Sequence, residues 1–537
     1  MGFFSDSIGV IAGYAVFLGS VAFVHRMYKV RMMVRRVHAQ HGVPILPHSF
    51  LLGHLFTMAK IIIKHKLPPD VFPHHHYFAI QKDYPEIFEA GVLYLDPWPI
   101  SWPIMIVFKP EMIAQFVSSP SLPKFYYMRT IEFGPLTGGR DVFTAEGQMW
   151  KEQHALFMPG FSSKNALAMT PWFVNEVLVF RDRMLKASKT GETVKLEQWA
   201  ADLTLDVIAR ATLSQEQASP HWLVALKEQV KLMVFKLDVV KALNLLSPLQ
   251  HWRYNRIFKK AIEPMIIEAF NKPTEPDGPQ SIMGLAIGRL VRSGQAIPQQ
   301  LLDDLVVNIK MFLYAGHVTT AMALSMLYWQ LSQNPDKLAL VREEHDRVLG
   351  PDPARAAEAI LADVNILNKL TYTGAAIKEA MRLWPPTGGS LREANAPGYM
   401  ITNPETGMSF PTHGFMISSG SVYLARDPKY WHRSDEYLPE RFLVRDPNDP
   451  LHPTKNAWQP FSTGPRACIA QDLVQAEVRL AAALTLREFD IEPQYAADAP
   501  EFHGSKAYQT EDPYDVSGMR VKDGLPVKVI ARKRPVG

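Results

Sequence analysis

The spacing of apolar and polar positions predicts a mainly helical chain with a smaller β part. Gln299 to Ser332 contains no proline and a single glycine, and its apolar residues recur at helical spacing, which predicts one long helix. A second helix is predicted from Asp363 to Trp384, where two prolines follow, and a third from Cys468 through Phe489. Between Gly388 and Arg426 the composition shifts to Gly, Pro, Thr and Ser around short β-prone runs, which indicates a small sheet.

The first 45 residues predict a membrane anchor. Ile8 to Val24 is uncharged and apolar, a little short of the roughly 20 residues that cross a bilayer as a helix. Five Lys or Arg residues and no acidic residue follow between positions 25 and 36, which favours a protein body held on the cytoplasmic face. A cleaved signal peptide would carry its basic residues before the apolar run. A buried core helix is the alternative, and Pro44 and Pro47 indicate a stiff hinge after the segment.

Composition and charge limit the remaining classes of protein. A chain of 537 residues with 47% hydrophobic residues buries a large core, and no Gly/Ser linker, charge block or repeat divides it after the hinge. We therefore expect a transmembrane helix within residues 1–45 and a single domain over residues 46–537. The net charge of +4 is small for this size, and no basic stripe with interleaved aromatic residues is present. We expect no nucleic-acid partner.

The stretch FSTGPRACIA, Phe461 to Ala470, contains Cys468, the only cysteine of the chain. One cysteine excludes an internal disulfide and a multi-cysteine zinc site, which leaves a buried bystander, a nucleophile or a single metal ligand. A cysteine at the start of a helix has its thiolate stabilised by the helix dipole. A nucleophile would need a histidine base that the sequence does not place. A single thiolate suffices for iron if a porphyrin supplies four nitrogen ligands.

The cysteine loop resembles that of the cytochrome P-450 family, which reads Phe-x-x-Gly-x-Arg-x-Cys-x-Gly. Phe461, Gly464, Arg466 and Cys468 match at the same spacing, and Ala470 replaces the usual final glycine. The resemblance implies a triangular helical prism, the P-450 fold. It also implies heme b (iron protoporphyrin IX) as the cofactor, with Cys468 as the axial ligand of the iron.

Two further segments resemble the family's structural triad. EAMR contains Glu379 and Arg382 three residues apart, on one face of a helix, and LPERF supplies Arg441. The resemblance implies a buried network of these three side chains that supports the heme-side core and takes no part in the chemistry.

Four residues match positions that contact the heme propionates in the family. Trp150 and His154 lie one helical turn apart, with histidine where arginine is commoner, and Arg392 and Arg466 are the other two. Two propionates in a low-dielectric pocket need several such donors.

The long helix contains AGHVTT, which resembles the family's oxygen-activating motif with one departure. Thr319 matches the threonine that helps hold oxygen and organise its protonating water, and Gly316 matches the glycine that allows close approach to the backbone. Val318 replaces the usual acid and cannot relay a proton. His317 lies about 100° away around the helix, so its expected place is the back of the helix, although a relay role stays open.

The resemblance also indicates the walls of the substrate pocket. Tyr127, Phe133, Phe312, Thr387 and Gly388 match wall positions and form a mostly apolar set, as a bulky hydrophobic substrate requires.

The resemblance implies a membrane-bound monooxygenase of the endoplasmic reticulum, single-pass, with its catalytic domain on the cytoplasmic face. It would use O2 and electrons from NADPH, delivered by NADPH-cytochrome reductase, to oxidise a hydrophobic small molecule. The pattern is most like that of filamentous-fungal members, which favours a terpenoid, polyketide or fatty-chain substrate. Because of Val318, a peroxide-using, rearranging or dehydrating enzyme of the same fold is one alternative. A non-catalytic membrane protein that binds heme or lipid is the other.

Overall fold

The computed structural model describes residues 2–214, 220–233, 244–271, 279–293, 296–394, 396, 398–511 and 519–532. In these ranges nineteen α-helices and eleven short strands are formed, so the predicted mainly helical class is confirmed. The helices are α1 (Gly2–His41), α2 (Leu55–Lys64), α3 (His76–Asp83), α4 (Pro85–Ala90), α5 (Pro110–Val117), α6 (Gly134–Thr137), α7 (Gly147–Phe161), α8 (Ser163–Ala168), α9 (Thr170–Thr190), α10 (Leu196–Leu213), α11 (Pro220–Lys231), α12 (Ser247–Asn271), α13 (Ile282–Ser293), α14 (Gln299–Gln333), α15 (Pro335–Leu349), α16 (Ala356–Ala362), α17 (Thr371–Leu383), α18 (Ser421–Leu424) and α19 (Gln471–Thr485).

The strands form four small sheets. They are β1 (Val92–Leu95), β2 (Ile104–Val107), β3 (Val194–Lys195), β4 (Leu391–Arg392), β5 (Met400–Thr402), β6 (Ser409–Pro411), β7 (Met416–Ser419), β8 (Phe489–Pro493), β9 (Gln509–Glu511), β10 (Met519–Val521) and β11 (Pro526–Ala531). The largest sheet has the order β1-β2-β7-β4, with β2 and β7 parallel and Ile104 opposite Met416. The others are β3-β11-β8 and the hairpins β5-β6 and β9-β10. The β structure predicted after Gly388 is therefore present as β4 to β7, although these strands belong to two different sheets.

The chain divides into two compact units. Unit 1 consists of Met1–Leu67, His76–Phe125 and Ser390–Gly420, and it contains the four-stranded sheet. Unit 2 consists of Pro68–His75, Tyr126–Gly389 and Ser421–Gly537, and it contains the long helix α14 and the cysteine loop. The single domain expected over residues 46–537 stays a prediction.

The predicted transmembrane helix at residues 8–24 is not supported. Among the helices in the described part of the chain, none combines the length and the apolarity that a bilayer crossing requires. The apolar run lies within the 40-residue helix α1, which continues through the basic residues to His41. Arg31, one of those basic residues, is fully buried in unit 1, where it pairs with Asp96 and donates to the carbonyl oxygen of Trp98 at 2.8 Å.

The long helix is confirmed, whereas the other two predicted helices have different bounds. α14 covers Gln299–Gln333, one residue more than predicted. The helix predicted from Asp363 is broken at Leu370, and α17 begins at Thr371 because the Glu344 carboxylate of α15 accepts hydrogen bonds from the backbone N–H groups of Tyr372 (2.7 Å) and Thr373 (2.8 Å).

The last predicted helix is shorter at both ends. α19 begins at Gln471, three residues after Cys468, because the backbone N–H of Cys468 donates to the carbonyl oxygen of Phe461 at 2.9 Å and holds the preceding residues in a loop. It ends at Thr485, since Phe489–Pro493 pairs with β11 as a strand.

Candidate active site

The cysteine loop presents its thiol on an open surface of unit 2. Cys468 is exposed, and the bond from its N–H to Phe461 closes the loop. Gly464 has a φ of +77°, a left-handed conformation that glycine adopts without steric cost. Phe461 contacts Trp458 with ring centroids 5.8 Å apart. The two matched residues Phe461 and Gly464 thus shape the loop that holds Cys468.

Arg466 joins this loop to the N-terminal end of α7. Its guanidinium donates to a carboxylate oxygen of Glu146 at 2.9 Å and to the carbonyl oxygen of Ala145 at 2.8 Å, and it lies 4.5 Å from the centroid of the Trp150 ring. Burial lowers the pKa of Arg466, while the nearby Glu146 opposes that effect. Arg466 and Trp150, predicted from separate motifs, are therefore in contact.

His154 follows Trp150 by one turn of α7, with ring centroids 5.1 Å apart. Burial, and secondly the charge of Arg466, lowers the pKa of His154, so its imidazole is mostly neutral at pH 7. The histidine therefore provides a hydrogen-bonding group here, and not the permanent charge that an arginine would supply.

Arg392, the fourth predicted propionate contact, lies in unit 1. It is buried in β4, opposite Ile417 of β7, and one of its terminal nitrogens donates to the carbonyl oxygen of Leu391 at 3.0 Å. Trp150, His154 and Arg466 lie in unit 2.

The structure brings the three triad residues together in unit 2. Glu379 accepts two hydrogen bonds of 2.7 Å from Arg382 and one of 3.1 Å from Nε of Arg441, and all three side chains are fully buried. The second terminal nitrogen of Arg382 donates to the carbonyl oxygens of Ala425 (2.6 Å) and Ser434 (2.7 Å). The network thereby ties α17 to the loops that precede the cysteine.

A short open patch interrupts the otherwise buried middle of α14. Ala315 is exposed and Thr319, one turn later, is partly exposed, whereas most residues on either side are buried. The Thr319 hydroxyl donates to the carbonyl oxygen of Ala315 at 2.8 Å, which keeps Thr319 Oγ1 at this patch. The exposed Cys468 and this patch both belong to unit 2.

The two residues between Gly316 and Thr319, His317 and Val318, provide no acidic side chain at the patch. Val318 is buried, with 3% of its surface exposed. His317 Nδ1 bonds to the carbonyl oxygen of Leu313 at 2.7 Å, one turn back along the helix, and its own carbonyl oxygen accepts from the hydroxyl of Thr204 of α10. At least one ring nitrogen of His317 is thus engaged with the helix backbone.

Gly316 allows α10 to pack closely against α14. A methyl group at this position would lie 2.9 Å from Cγ1 of Ile208, closer than two carbon atoms normally approach. The glycine therefore has a packing role that the sequence pattern does not reveal. Its predicted role in oxygen or substrate approach stays a prediction.

The five predicted pocket residues have different surroundings. Phe312 is buried between Phe157 and Phe161 of α7, at centroid distances of 5.1 and 4.9 Å, which places it in the helix core. Phe133 is also buried and contacts Tyr314 of α14 at 5.7 Å.

The remaining three pocket residues are more open. Tyr127 is partly exposed and Thr387 is exposed. Gly388 packs against His74, whose Cε1 would lie 2.4 Å from an added methyl group. Tyr127 and Thr387 are therefore the more open of the five residues, and the role of all five in a substrate pocket stays a prediction.

Sequence reasoning missed two charged residues in the π-helical turn Met128–Glu132, just before Phe133. The charge of Arg129 is close enough to lower the pKa of Arg466. Burial raises the pKa of Glu132 to about 8, and Glu132 forms no hydrogen bond or ion pair with a described residue. The sequence did contain a signal for these residues, because Arg129 and Glu132 are the two charged residues of the otherwise mostly apolar segment FYYMRTIEFGPL.

The residues of unit 2 fit a heme. The exposed Cys468 thiol, three residues before α19, could provide the single thiolate that a heme iron requires, and the Arg466 guanidinium beside Trp150 could donate to carboxylates. The open patch at Ala315 and Thr319 leaves an otherwise buried helix uncovered, as a bound planar cofactor would require.

Comparison with known proteins agrees with this geometry. The family model described as Cytochrome P-450 matches residues 67–517. The chain is 31% identical over 526 residues to cytochrome P-450 monooxygenase polC of Polytolypa hystricis, covering 91% of this chain and 90% of that protein. It is 29% identical to cytochrome P-450 monooxygenase acrF of Aspergillus aculeatus, covering 88% and 100%, and 25% identical to cytochrome P-450 4A7 of Oryctolagus cuniculus, covering 66% and 70%. The chain therefore belongs to the cytochrome P-450 family, whose members are heme-containing oxidoreductases that incorporate molecular oxygen.

Proposed function

We propose that this protein is a heme-thiolate monooxygenase that hydroxylates or otherwise oxidises a hydrophobic small molecule, of the terpenoid, polyketide or fatty-chain type. It takes electrons from NADPH through a reductase. The similarity to two fungal proteins named monooxygenases supports the reaction class. The apolar wall around Phe133 supports a hydrophobic substrate. The predicted endoplasmic reticulum location stays a prediction.

In this proposal Cys468 is the axial ligand of the iron, and Trp150, His154, Arg392 and Arg466 are the propionate contacts. When bound, the heme supplies the oxygen chemistry. The protein would contribute the exposed sulfur of Cys468, which lies three residues before α19.

Thr319 is the residue that we assign to positioning oxygen and water. Its hydroxyl is held at the open patch by its bond to Ala315, so its own oxygen remains available as an acceptor for water. Val318 is buried and apolar, so water has to deliver the protons that an acid would otherwise relay. We expect loose coupling between the electrons consumed and the product formed.

The observation that carries the proposal is the exposed Cys468 thiol in the loop fastened by Arg466 to α7. The test is a carbon-monoxide difference spectrum of the reduced, heme-loaded protein, beside Cys468→Ala and the control Ala470→Gly. We expect a strongly red-shifted Soret band in the wild type and in the control, and its loss in Cys468→Ala. A band that survives in folded Cys468→Ala would exclude Cys468 as the ligand.

A second candidate function is supported by the buried Val318 and by the His317 ring bonded back to Leu313. A peroxide-using or rearranging enzyme has no need of the acid relay at these positions. Product formation from a screened hydrophobic substrate would be compared with NADPH and reductase, with hydrogen peroxide, and with neither. Product only with NADPH and reductase supports the monooxygenase, whereas product with peroxide alone or without any electron source supports the second candidate.

A further inference from the structure

A cavity of about 190 Å³ lies beside α19 in unit 2. Its wall carries the guanidinium of Arg479 and the polar side chains of Ser163, Asn368 and Gln475. None of its lining residues belongs to the candidate active site. The cavity therefore needs an explanation of its own.

Arg479 is the charged group in the lining of this cavity that is also partly buried. Its guanidinium forms no hydrogen bond or ion pair with any described residue, and its Nε atom is enclosed. Burial lowers the pKa of Arg479, because removing the charge from water is unfavourable. A partly buried guanidinium normally engages a carboxylate or carbonyl groups, so its donors are available to a ligand in the cavity.

A second cation increases the local positive charge. Lys378 of α17 has its pKa lowered by burial and next by the charge of Arg479, so the two cations lie near each other. Glu344 is the carboxylate that favours the charge of Arg479. Both Glu344 oxygens are already engaged by hydrogen bonds to Tyr372 and Thr373 at the start of α17. Glu344 therefore offsets part of this positive charge, but among the described residues it forms no ion pair with Arg479 or Lys378.

Gly374 of α17 makes room for the guanidinium. A methyl group at position 374 would lie 2.8 Å from one of the terminal nitrogens of Arg479. The missing side chain allows Arg479 to lie against α17 while it lines the cavity.

We propose that this cavity binds a small oxyanion, of the phosphate or carboxylate type, through the Arg479 guanidinium. The fork of N–H donors matches the oxygen spacing of such anions, and Lys378 is close enough for its charge to act on Arg479. Ser163, Asn368 and Gln475 supply neutral hydrogen-bonding groups to the same space.

One acidic residue, Asp472, also lines the cavity. It is exposed, and it precedes Arg479 by seven residues on α19, about 10 Å along the helix axis. The carboxylate whose charge acts on the pKa of Arg479 is that of Glu344, and Asp472 is exposed to solvent.

The test uses the full-length holoenzyme and its thermal midpoint. Sodium phosphate, and separately sodium acetate, is raised at constant ionic strength with sodium chloride as the balance. An anion that binds the folded state raises the midpoint with a saturable dependence on concentration. We expect this response in the wild type and in Arg355→Gln, a control whose arginine is 74% exposed.

Two variants address the site itself. Arg479→Gln removes the charge and should weaken binding by about tenfold or more, since a charge-assisted hydrogen bond is lost. Gly374→Ala displaces the guanidinium while keeping every charge, and it should also weaken binding.

The proposal is overturned if the wild-type midpoint responds to neither anion, or if Arg479→Gln titrates like the wild type. If Arg479→Gln does not fold, an unchanged titration in Gly374→Ala overturns it. The thermal midpoint requires no turnover, so this result is independent of the proposed monooxygenase activity.

Discussion

Single buried charges determine much of the expected behaviour at the residue scale. Glu379, Arg382 and Arg441 are fully enclosed but form ion pairs with one another, whereas Glu132 is largely enclosed and has no hydrogen bond or ion pair among the described residues. A paired buried charge is costly to break, and an unpaired buried carboxyl becomes neutral instead. These two situations lead to different experiments.

Removal of Arg382 should be severe. Arg382→Ala leaves the Glu379 carboxylate buried with fewer donors, and we expect a loss of about 3–5 kcal/mol in the free energy of unfolding, or failure to fold. The control is Arg355→Ala, which breaks an exposed pair with Glu358 and should cost about 1 kcal/mol or less. Urea unfolding of the heme-loaded protein gives both values. Equal losses in the two variants would contradict a structural role for the triad.

Glu132 should make stability depend on pH. Its pKa is raised to about 8 in the folded chain, above its ordinary value of 4.5, so the folded state binds the proton more tightly. This contribution to stability is fully present below about pH 4.5 and is lost as the pH rises toward 8. We expect Glu132→Gln to flatten that part of the stability profile.

The thermal midpoint of Glu132→Gln would be followed from pH 5 to pH 9 beside the wild type. The matched control is Glu358→Gln, whose carboxylate is 70% exposed. The Glu132 assignment fails if both variants have the pH profile of the wild type.

At the scale of elements, the contact between α10 and α14 positions the open patch. Gly316 allows Ile208 to approach, and the Thr204 hydroxyl donates to the carbonyl oxygen of His317 at 2.7 Å. The patch at Ala315 and Thr319 therefore has a fixed backbone behind it. Its position depends on α10 as much as on α14 itself.

We expect Gly316→Ala to destabilise the protein by overpacking this contact, at a cost of about 1–3 kcal/mol. Ile208→Ala removes the opposing side chain, so the double variant should lose clearly less stability than the sum of the two single losses. A double-variant cycle in urea provides the measurement. Additive losses would mean that Gly316 and Ile208 do not interact as the distance of 2.9 Å indicates.

At the scale of the whole molecule, one buried lysine joins four helices. Nζ of Lys310 on α14 donates to the carbonyl oxygen of Leu136 (3.3 Å) in α6, to the side-chain oxygen of Gln229 (3.2 Å) in α11, and to that of Asn255 in α12. His251 of α12 lies nearby and has its pKa lowered by burial and then by Lys310. Lys310 thereby connects α14 to α6 and α12, which are more than a hundred residues apart in the sequence.

Burial lowers the pKa of Lys310 from its usual 10.5 to about 7. The unfolded chain then binds more protons between pH 7 and pH 10.5, so the stability that Lys310 contributes increases over this window and is lost as the pH falls through 7. We expect the stability lost in Lys310→Met to be larger at pH 9 than at pH 6. Urea unfolding at the two pH values is the measurement, with the exposed Lys227→Met as control. A loss that is the same at both pH values would contradict the lowered pKa.

Sequence reasoning predicted the parts of the fold that depend on local pattern. The bounds of α14 followed from its unbroken apolar spacing, and the sheet after Gly388 followed from its composition. The sequence did not predict the first residue of α17, because the Glu344 carboxylate that caps this helix belongs to α15. The contacts of Phe312 with Phe157 and Phe161 did not follow either, since periodicity does not identify the element against which a buried side chain packs.

By itself the sequence determined the helical class, the family and the identity of the motif residues, because side-chain type and spacing are local properties of the chain. Tertiary structure alone decided which residues meet. Arg31, which the sequence predicted in a basic flank beside the membrane, is buried and paired with Asp96. Gly316 packs against α10. Glu132 and Arg479 have no hydrogen bond or ion pair among the described residues. Burial and pairing arise from segments distant in sequence, and they determine the pKa of a side chain and its availability to a ligand.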